Sequence, residues 1–172
     1  IPDARFVILG EGELREHLER QVRECRLEKH VLLPGFRTDV LGCIKGFDVF
    51  AMSSVTEGLG TSLLDAMACA KPIVATSAGG IPEVVEHGVT GFVVDSVDEA
   101  VDAATRLDEI DRERCRDRFV ERFSARRMAA DYVALYERMA AGVAPDWISA
   151  DREPLTSPPG LTGRNEGDLT PD

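Results

Sequence analysis

Residues 57–76, EGLGTSLLDAMACAKPIVAT, decide how the rest of this chain is read. Gly58 and Gly60 make a turn that other residues would resist, and they let a ligand approach the main chain. The spacing of Leu63, Leu64, Met67 and Ala68 predicts a helix with an apolar face over 62–70. Pro72 closes that helix, and 73–75 is an apolar run suited to a strand covered on both faces. A glycine turn feeding a helix start presents unpaired N–H groups and the positive end of the helix dipole, which suits a phosphate or diphosphate. Two carboxylates frame it: Glu57 before the turn and Asp65 in the first or second turn of the helix. Both have a plainer reading. Ser62-Leu63-Leu64-Asp65 also fits a capping box that only starts the helix, and Glu57 also fits an acid favoured by a helix N-terminus.

Working outward, strands and helices alternate. Upstream, strand 5–9 leads through Gly10-Glu11-Gly12 into a helix over 13–25 with Leu14, Leu18 and Val22 on one side. Strand 30–33 runs into Pro34-Gly35-Phe36-Arg37, a short helix over 38–44 takes Thr38 or Asp39 as its cap, and strand 48–52 delivers the chain to the central stretch. Downstream come a turn at 77–81 holding Gly79-Gly80, a short helix near 82–86 and a strand over 92–94. This alternation predicts an α/β fold, a doubly wound parallel sheet with helices on both faces. Such sheets take ligands beyond the carboxyl ends of their strands, here 10–12, 34–37, 53–62 and 76–81. The Gly10-x-Gly12 and Gly79-Gly80 turns read either as turn geometry or as ligand lining.

Beyond Val94 the chain turns helical, over 97–107 and 111–123. In the second of these Arg112, Arg114, Arg116, Arg118 and Arg122 alternate with acids, as in a solvated face of ion pairs. Ser124 caps a last helix with a stripe of Met128, Tyr132, Leu135 and Met139. Residues 1–141 form the folded domain on this reading. Residues 142–172, rich in Pro, Gly, Ser, Thr and acids and without periodicity, form a disordered tail. Trp147 within it is an incidental aromatic or a membrane or partner contact.

The 172 residues suffice for one domain with a real core, and 44% hydrophobic with 30% charged residues is ordinary for a globular protein. A net charge of −11 argues against a nucleic-acid partner and against membrane binding driven by bulk charge. Any phosphate site must rely on local donors. Cys25, Cys43, Cys69 and Cys115 stand singly, and neither they nor the three histidines have metal-ligand spacing, so neither a metal nor a cofactor is expected. No apolar run approaches the roughly 20 residues that span a bilayer.

The central stretch resembles the retaining glycosyltransferases of family four, which have the GT-B fold and read E-G-[FL]-G-x-x-x-[LIV]-E-A-x-A-x-G-x-P-[IV]-[IV]-A. Glu57, Gly58, Leu59, Gly60, Leu64, Ala66, Ala68, Pro72, Ile73, Val74 and Ala75 fall on matching positions. Asp65 stands where the family has its second glutamate, and Ala70 where it has glycine. The match continues through Gly79-Gly80-Ile81-Pro82-Glu83-Val84 and His87-Gly88-Val89-Thr90-Gly91-Phe92-Val93-Val94, and covers roughly residues 5–136.

The resemblance implies a Rossmann-like C-terminal donor-binding domain followed by C-terminal helices. It implies transfer of a sugar from a nucleotide-diphosphate sugar to an acceptor with retention of configuration. By that resemblance Glu57 is catalytic, accepting hydrogen bonds from sugar hydroxyls. Gly58, Leu59, Gly60, Thr61 and Ser62 cradle the diphosphate, Asp65 takes the place of the acid on the ribose hydroxyls, and Phe36 and Arg37 lie on the loop that contacts the base. The family sheet has six strands in the order 3-2-1-4-5-6. Strand 5–9 corresponds to the second, so the first strand and the acceptor-binding N-terminal domain are expected upstream of Ile1. The terminal helices are expected to pack toward that domain. The stretch is therefore read as a fragment, poorly folded and inactive by itself. The parent is expected in the cytoplasm, with peripheral contact at the inner membrane face left open. A sugar-nucleotide epimerase of the same fold and a non-catalytic module are the alternatives; Asp65 and Ala70 keep the second open.

Overall fold

β-branched and apolar residues bounded by glycine and proline make short strands, five among the described residues, and the apolar-periodic segments between them make helices. The computed structural model describes residues 3–143. The order is β1 (Phe6–Leu9), α1 (Arg15–Glu24), β2 (Val31–Gly35), α2 (Val40–Lys45), β3 (Phe50–Met52), α3 (Thr61–Ala68), β4 (Ile73–Thr76), α4 (Ile81–Val84), β5 (Gly91–Val94), α5 (Val97–Thr105), a 3₁₀ turn (Leu107–Glu109), α6 (Arg112–Phe123) and α7 (Ala125–Ala140). The disordered-tail expectation and Trp147 fall almost wholly outside the described residues. Two compact units divide at Arg127 and Met128. Within the second, the rings of Tyr132 and Tyr136 lie 6.1 Å apart.

All strand pairs in the first unit are parallel, as the alternation predicts, but they fall into two sheets rather than one. β1 pairs with β2, Phe6 opposite Val31, and β3–β4–β5 form the second sheet, Phe50 opposite Ile73 and Ile73 opposite Gly91. Each of β1 and β3 therefore pairs on one side only. β4 is the central strand, and Ile73, Val74 and Ala75 are all buried, as befits a strand covered on both faces. One face packs on Leu63, Ala66 and Met67 of α3 with Ile44, Ile81, Val84 and Val85. The other packs Val74, Phe92 and Val94 on Ala103, Ile110 and Cys115. Each fully buried Leu or Ile contributes about 1.5–3 kcal/mol, so α3 and β4 anchor this sheet.

The charged α6 departs from a purely solvated face. The Arg118 guanidinium reaches Glu86, beyond its own helix, at 3.0 Å, and also bonds Glu121 on it. Arg122 donates to the carbonyl of Glu83 at 3.0 Å. These two arginines tie α6 to the segment around α4. Cys115, one turn before Arg118, is completely buried, its thiol 3.5 Å from the carbonyl of Thr90.

Candidate functional site

The site is built where β3 and β4 end. After Met52 the chain makes a loop through residues 53–60 and enters α3 at Gly60, whose φ of +70° is the left-handed conformation glycine favours. Gly60 is the N-cap residue, and no side chain caps the helix. The capping-box alternative for Ser62 and Asp65 is thereby excluded: Ser62 is the second residue of α3 and Asp65 the fifth, exposed in its second turn. The N–H of Leu63 already bonds the carbonyl of Gly60 at 2.9 Å. The orphan donors of this helix start are therefore those of Gly60, Thr61 and Ser62.

Glu57 is half-buried at the head of that loop. Its carboxylate accepts from the hydroxyl of Ser54 at 3.3 Å and from the backbone N–H of Gly58 at 3.2 Å. The loop is fastened beneath by the end of β4, where the Thr76 hydroxyl donates to the carbonyl of Ser54 at 2.6 Å. The turn after β4 closes on it from the side: the N–H of Gly80 donates to the carbonyl of Gly58 at 3.0 Å.

That contact settles why two glycines stand together here. A Cβ on Gly79 would lie 1.8 Å from the carbonyl oxygen of Glu57, and one on Gly80 would lie 2.3 Å from that of Gly58. The Gly79-Gly80 pair is thus the floor on which the Glu57 loop rests. Gly79, at φ +52°, is also in the left-handed region.

The sequence-selected residues are not all gathered by these bonds. Leu59 and Thr61 are exposed beside the buried Gly60. Phe36, 74% exposed, and Arg37 follow the end of β2, and Arg37 forms a two-pronged ion pair with Asp39 at 2.6 and 2.7 Å. The hydrogen bond from Arg37 holds the Asp39 carboxyl below the usual carboxylate range, and Arg37 is itself raised by Asp39. Asp39 occupies the N-cap position of α2, yet its side chain caps nothing there. The glycines at 10 and 12 belong to a turn in which the N–H of Gly10 bonds the carbonyl of Gly35 at 3.0 Å.

Ser54 and Thr76 were not singled out by the sequence, although S-S-V-T-E places a hydroxyl three residues before Glu57. Among the described residues no cluster of three or more His, Cys, Asp or Glu is placed to hold a metal ion, and no helix is long and apolar enough to cross a membrane. A shallow cavity of about 380 Å³ lies by β5 and α5; its arginine, Arg106, lies over the Phe92 ring and is paired with Glu109 at 2.9 Å.

Residues 1–109 match the family described as Glycosyl transferases group 1. The N-acetyl-alpha-D-glucosaminyl L-malate synthase of Bacillus anthracis is 32% identical over 142 residues, 78% of this chain and 37% of that protein. A GDP-mannose-dependent alpha-(1-6)-phosphatidylinositol monomannoside mannosyltransferase of Mycobacterium tuberculosis is 40% identical over 125 residues, 66% of this chain and 32% of its own length. Among solved structures, Anabaena HepE in complex with UDP-glucose superposes with a TM-score of 0.69 at 26% identity, covering 82% of this chain and 42% of that one. The chain thus spans well under half the length of these relatives. With a fold shared with the HepE structure and a family match over more than half its residues, the chain belongs to the glycosyl transferases of group 1.

Proposed function

We propose that this chain is the donor-binding part of a retaining glycosyltransferase that takes its sugar from a nucleotide-diphosphate sugar. The observation that carries the reading is the fastened loop at residues 57–62. It sets a carboxylate, Glu57, next to a helix start whose first N–H groups have no side-chain cap. Unpaired amides at the positive end of α3 suit the diphosphate and the negative charge that grows on it as the bond to the sugar breaks. Gly58, Leu59, Gly60, Thr61 and Ser62 line that cradle, the N–H of Gly58 being the one that Glu57 already holds. Backbone amides and the helix dipole are this chain's contribution to holding that charge, and neither a metal nor a cofactor is part of the reading.

Glu57 accepts hydrogen bonds from the sugar hydroxyls. Its contacts with Ser54 and Gly58 fix the carboxylate before the donor arrives, which lowers the ordering cost of binding. Asp65, exposed in the next helical turn, takes the ribose hydroxyls; one methylene shorter than glutamate, it reaches them through a water. The loop at Phe36 and Arg37 meets the base through its backbone. This assignment is compatible with Arg37 being held by Asp39, since the guanidinium is not what it uses.

The proposal extends to the rest of the protein. An additional strand fills the place between β1 and β3, which their one-sided pairing supports. A second domain binds the acceptor, and the protein works in the cytoplasm, with peripheral contact at the inner membrane face as a further part of the reading. Residues 1–141 are then the donor domain. UDP in the HepE complexes and GDP-mannose in the name of the mycobacterial relative supply the first donors to try.

The test titrates UDP-glucose and GDP-mannose into the intact protein and into its Glu57→Gln variant. One of the donors is expected to bind both proteins with affinities within about threefold, while Glu57→Gln loses about a hundredfold or more in kcat, the pattern of an interaction made in the transition state. Absence of binding across a panel of sugar nucleotides, or unchanged turnover in Glu57→Gln, would overturn the proposal.

A further inference from the structure

The Glu57 loop rests on the turn at residues 77–80, so whatever fixes that turn fixes the site. Two bonds hold its first residue. The N–H of Ser77 donates to the carbonyl of Val94, extending the β4–β5 ladder at 3.1 Å, and the Ser77 hydroxyl donates to the carboxylate of Asp95. Asp95 is the first residue after β5, and it is fastened in turn by α5. Its N–H donates to the Glu99 carboxylate at 2.8 Å, while the N–H of Glu99 is accepted by the hydroxyl of Ser96, the N-cap, at 3.1 Å. This reciprocal arrangement at the start of α5 resembles a capping box displaced by one residue. It gives Asp95 a defined backbone from which its side chain reaches across to β4.

We infer that Asp95 is a positioning residue. Through Ser77 it holds the Gly79-Gly80 turn in place, and through that turn it holds the backbone of Glu57 and Gly58. The route is continuous: Glu99 to Asp95, Asp95 to Ser77, two residues along the turn to Gly79 and Gly80, and from these to the carbonyls of Glu57 and Gly58. The last step is intolerant of play. With no side chains between them, the two backbones lie in direct contact, and a shift of the turn by a few tenths of an ångström passes to the loop undiminished. Asp95 touches neither donor nor sugar on this account. Its negative charge is not what is used, only its ability to accept from Ser77. The catalytic consequence rests on the donor-site reading above; the effect on the loop itself does not.

The experiment compares Asp95→Ala, Asp95→Asn, Ser77→Ala and the Ser77→Ala/Asp95→Ala double variant in the intact protein. Two quantities are followed: deuterium uptake of the peptide spanning residues 53–62, and release of UDP or GDP from UDP-glucose or GDP-mannose. Asp95→Ala and Ser77→Ala are each expected to speed exchange in that peptide by up to about tenfold, the loss of one hydrogen bond between two exposed side chains. The double variant is expected to be no looser than either single one. Asp95→Asn keeps an acceptor oxygen and is expected to stay within about twofold of the parent. Nucleotide release should fall in the same order. Uptake unchanged in Asp95→Ala, equal loosening in Asp95→Asn, or additive effects in the double variant would each overturn the inference. Should Asp95→Ala fail to fold, the comparison of Ser77→Ala with Asp95→Asn decides alone. Glu57→Gln, run beside them, separates the two claims. Turnover unaffected by Glu57→Gln defeats the donor-site reading whatever the exchange data say, and loss of turnover there with no change in uptake for Asp95→Ala defeats only the role of Asp95.

Discussion

Ala70 stands where the backbone asks for glycine. Helix α3 ends in a Schellman motif, with the N–H of Lys71 on the carbonyl of Ala66 at 3.0 Å and that of Ala70 on Met67 at 2.9 Å. This puts Ala70 at φ +57°, in the left-handed region. Its departure from the resembled pattern thus falls on a helix terminus, where it bears on stability. Ala70→Gly relieves about 1–2 kcal/mol of strain and gives back about 0.4–1 kcal/mol through the freer unfolded chain. A net gain of about 1 kcal/mol is expected, seen as a rise in Tm of about 2–4 °C with unchanged turnover. Gly79→Ala should do the opposite, since its methyl would lie 1.8 Å from the Glu57 carbonyl oxygen in a backbone that already disfavours it. Expected are a fall in Tm and a loss of donor turnover of about a hundredfold, while Gly12→Ala, with no heavy atom within 4 Å of the added carbon, changes neither.

At the scale of elements, α6 is fixed by a buried thiol and by two arginines that reach the α4 segment. Burial pushes the Cys115 thiol up to about 11. A thiol raised in the folded state keeps its proton while the unfolded chain gives its proton up, so its contribution is fully present below the ordinary thiol value. That contribution is lost as pH rises toward about 11. Over that window it amounts to at most about 3 kcal/mol. The melting temperature of the native protein should therefore fall more steeply above about pH 9 than that of Cys115→Ala, which starts lower because a cavity replaces the sulfur. Arg118→Ala tests the other anchor. Arg118 and Glu86 are 28% and 39% exposed, so their pair is worth about 1 kcal/mol, part of it screened by salt. Denaturation at low and high ionic strength should show the gap between Arg118→Ala and the native protein narrowing as salt is added.

For the molecule as a whole, the two sheets of the first unit differ in how well they are covered. In the β3–β4–β5 sheet, Ile73, Val74, Ala75, Phe92 and Val94 are buried between two clusters. In the β1–β2 sheet Phe6, Ile8 and Leu32 are 54%, 44% and 58% exposed, and the buried residue of those strands is Gly35. Local stability follows buried apolar contacts, so the sheets should open with different free energies. Native-state hydrogen exchange is expected to find the amides of β4 the slowest and those of β1 and β2 faster by at least about tenfold. Equal protection in both sheets would mean that something covers Phe6 and Leu32.

The sequence by itself determined the order of elements and singled out the stretch that carries the candidate site. Period-two and period-3.6 patterns act within a few residues, and the E-G-L-G stretch names its own turn and helix. Both were therefore legible at 57–76. Strand and helix ends moved by a residue or two, because caps are set by backbone hydrogen bonds that composition does not reveal: Gly60, not Ser62, opens α3. What only the tertiary structure decided lies between segments distant in the chain. That Gly79-Gly80 is the floor of the Glu57 loop, that Thr76 and Ser54 fasten it, that Asp95 reaches Ser77, and that Arg118 and Arg122 leave their helix to bind the α4 segment are contacts across eighteen to thirty-nine positions. Such contacts depend on which backbones the packed core brings together, and no local pattern of residue types encodes that distance.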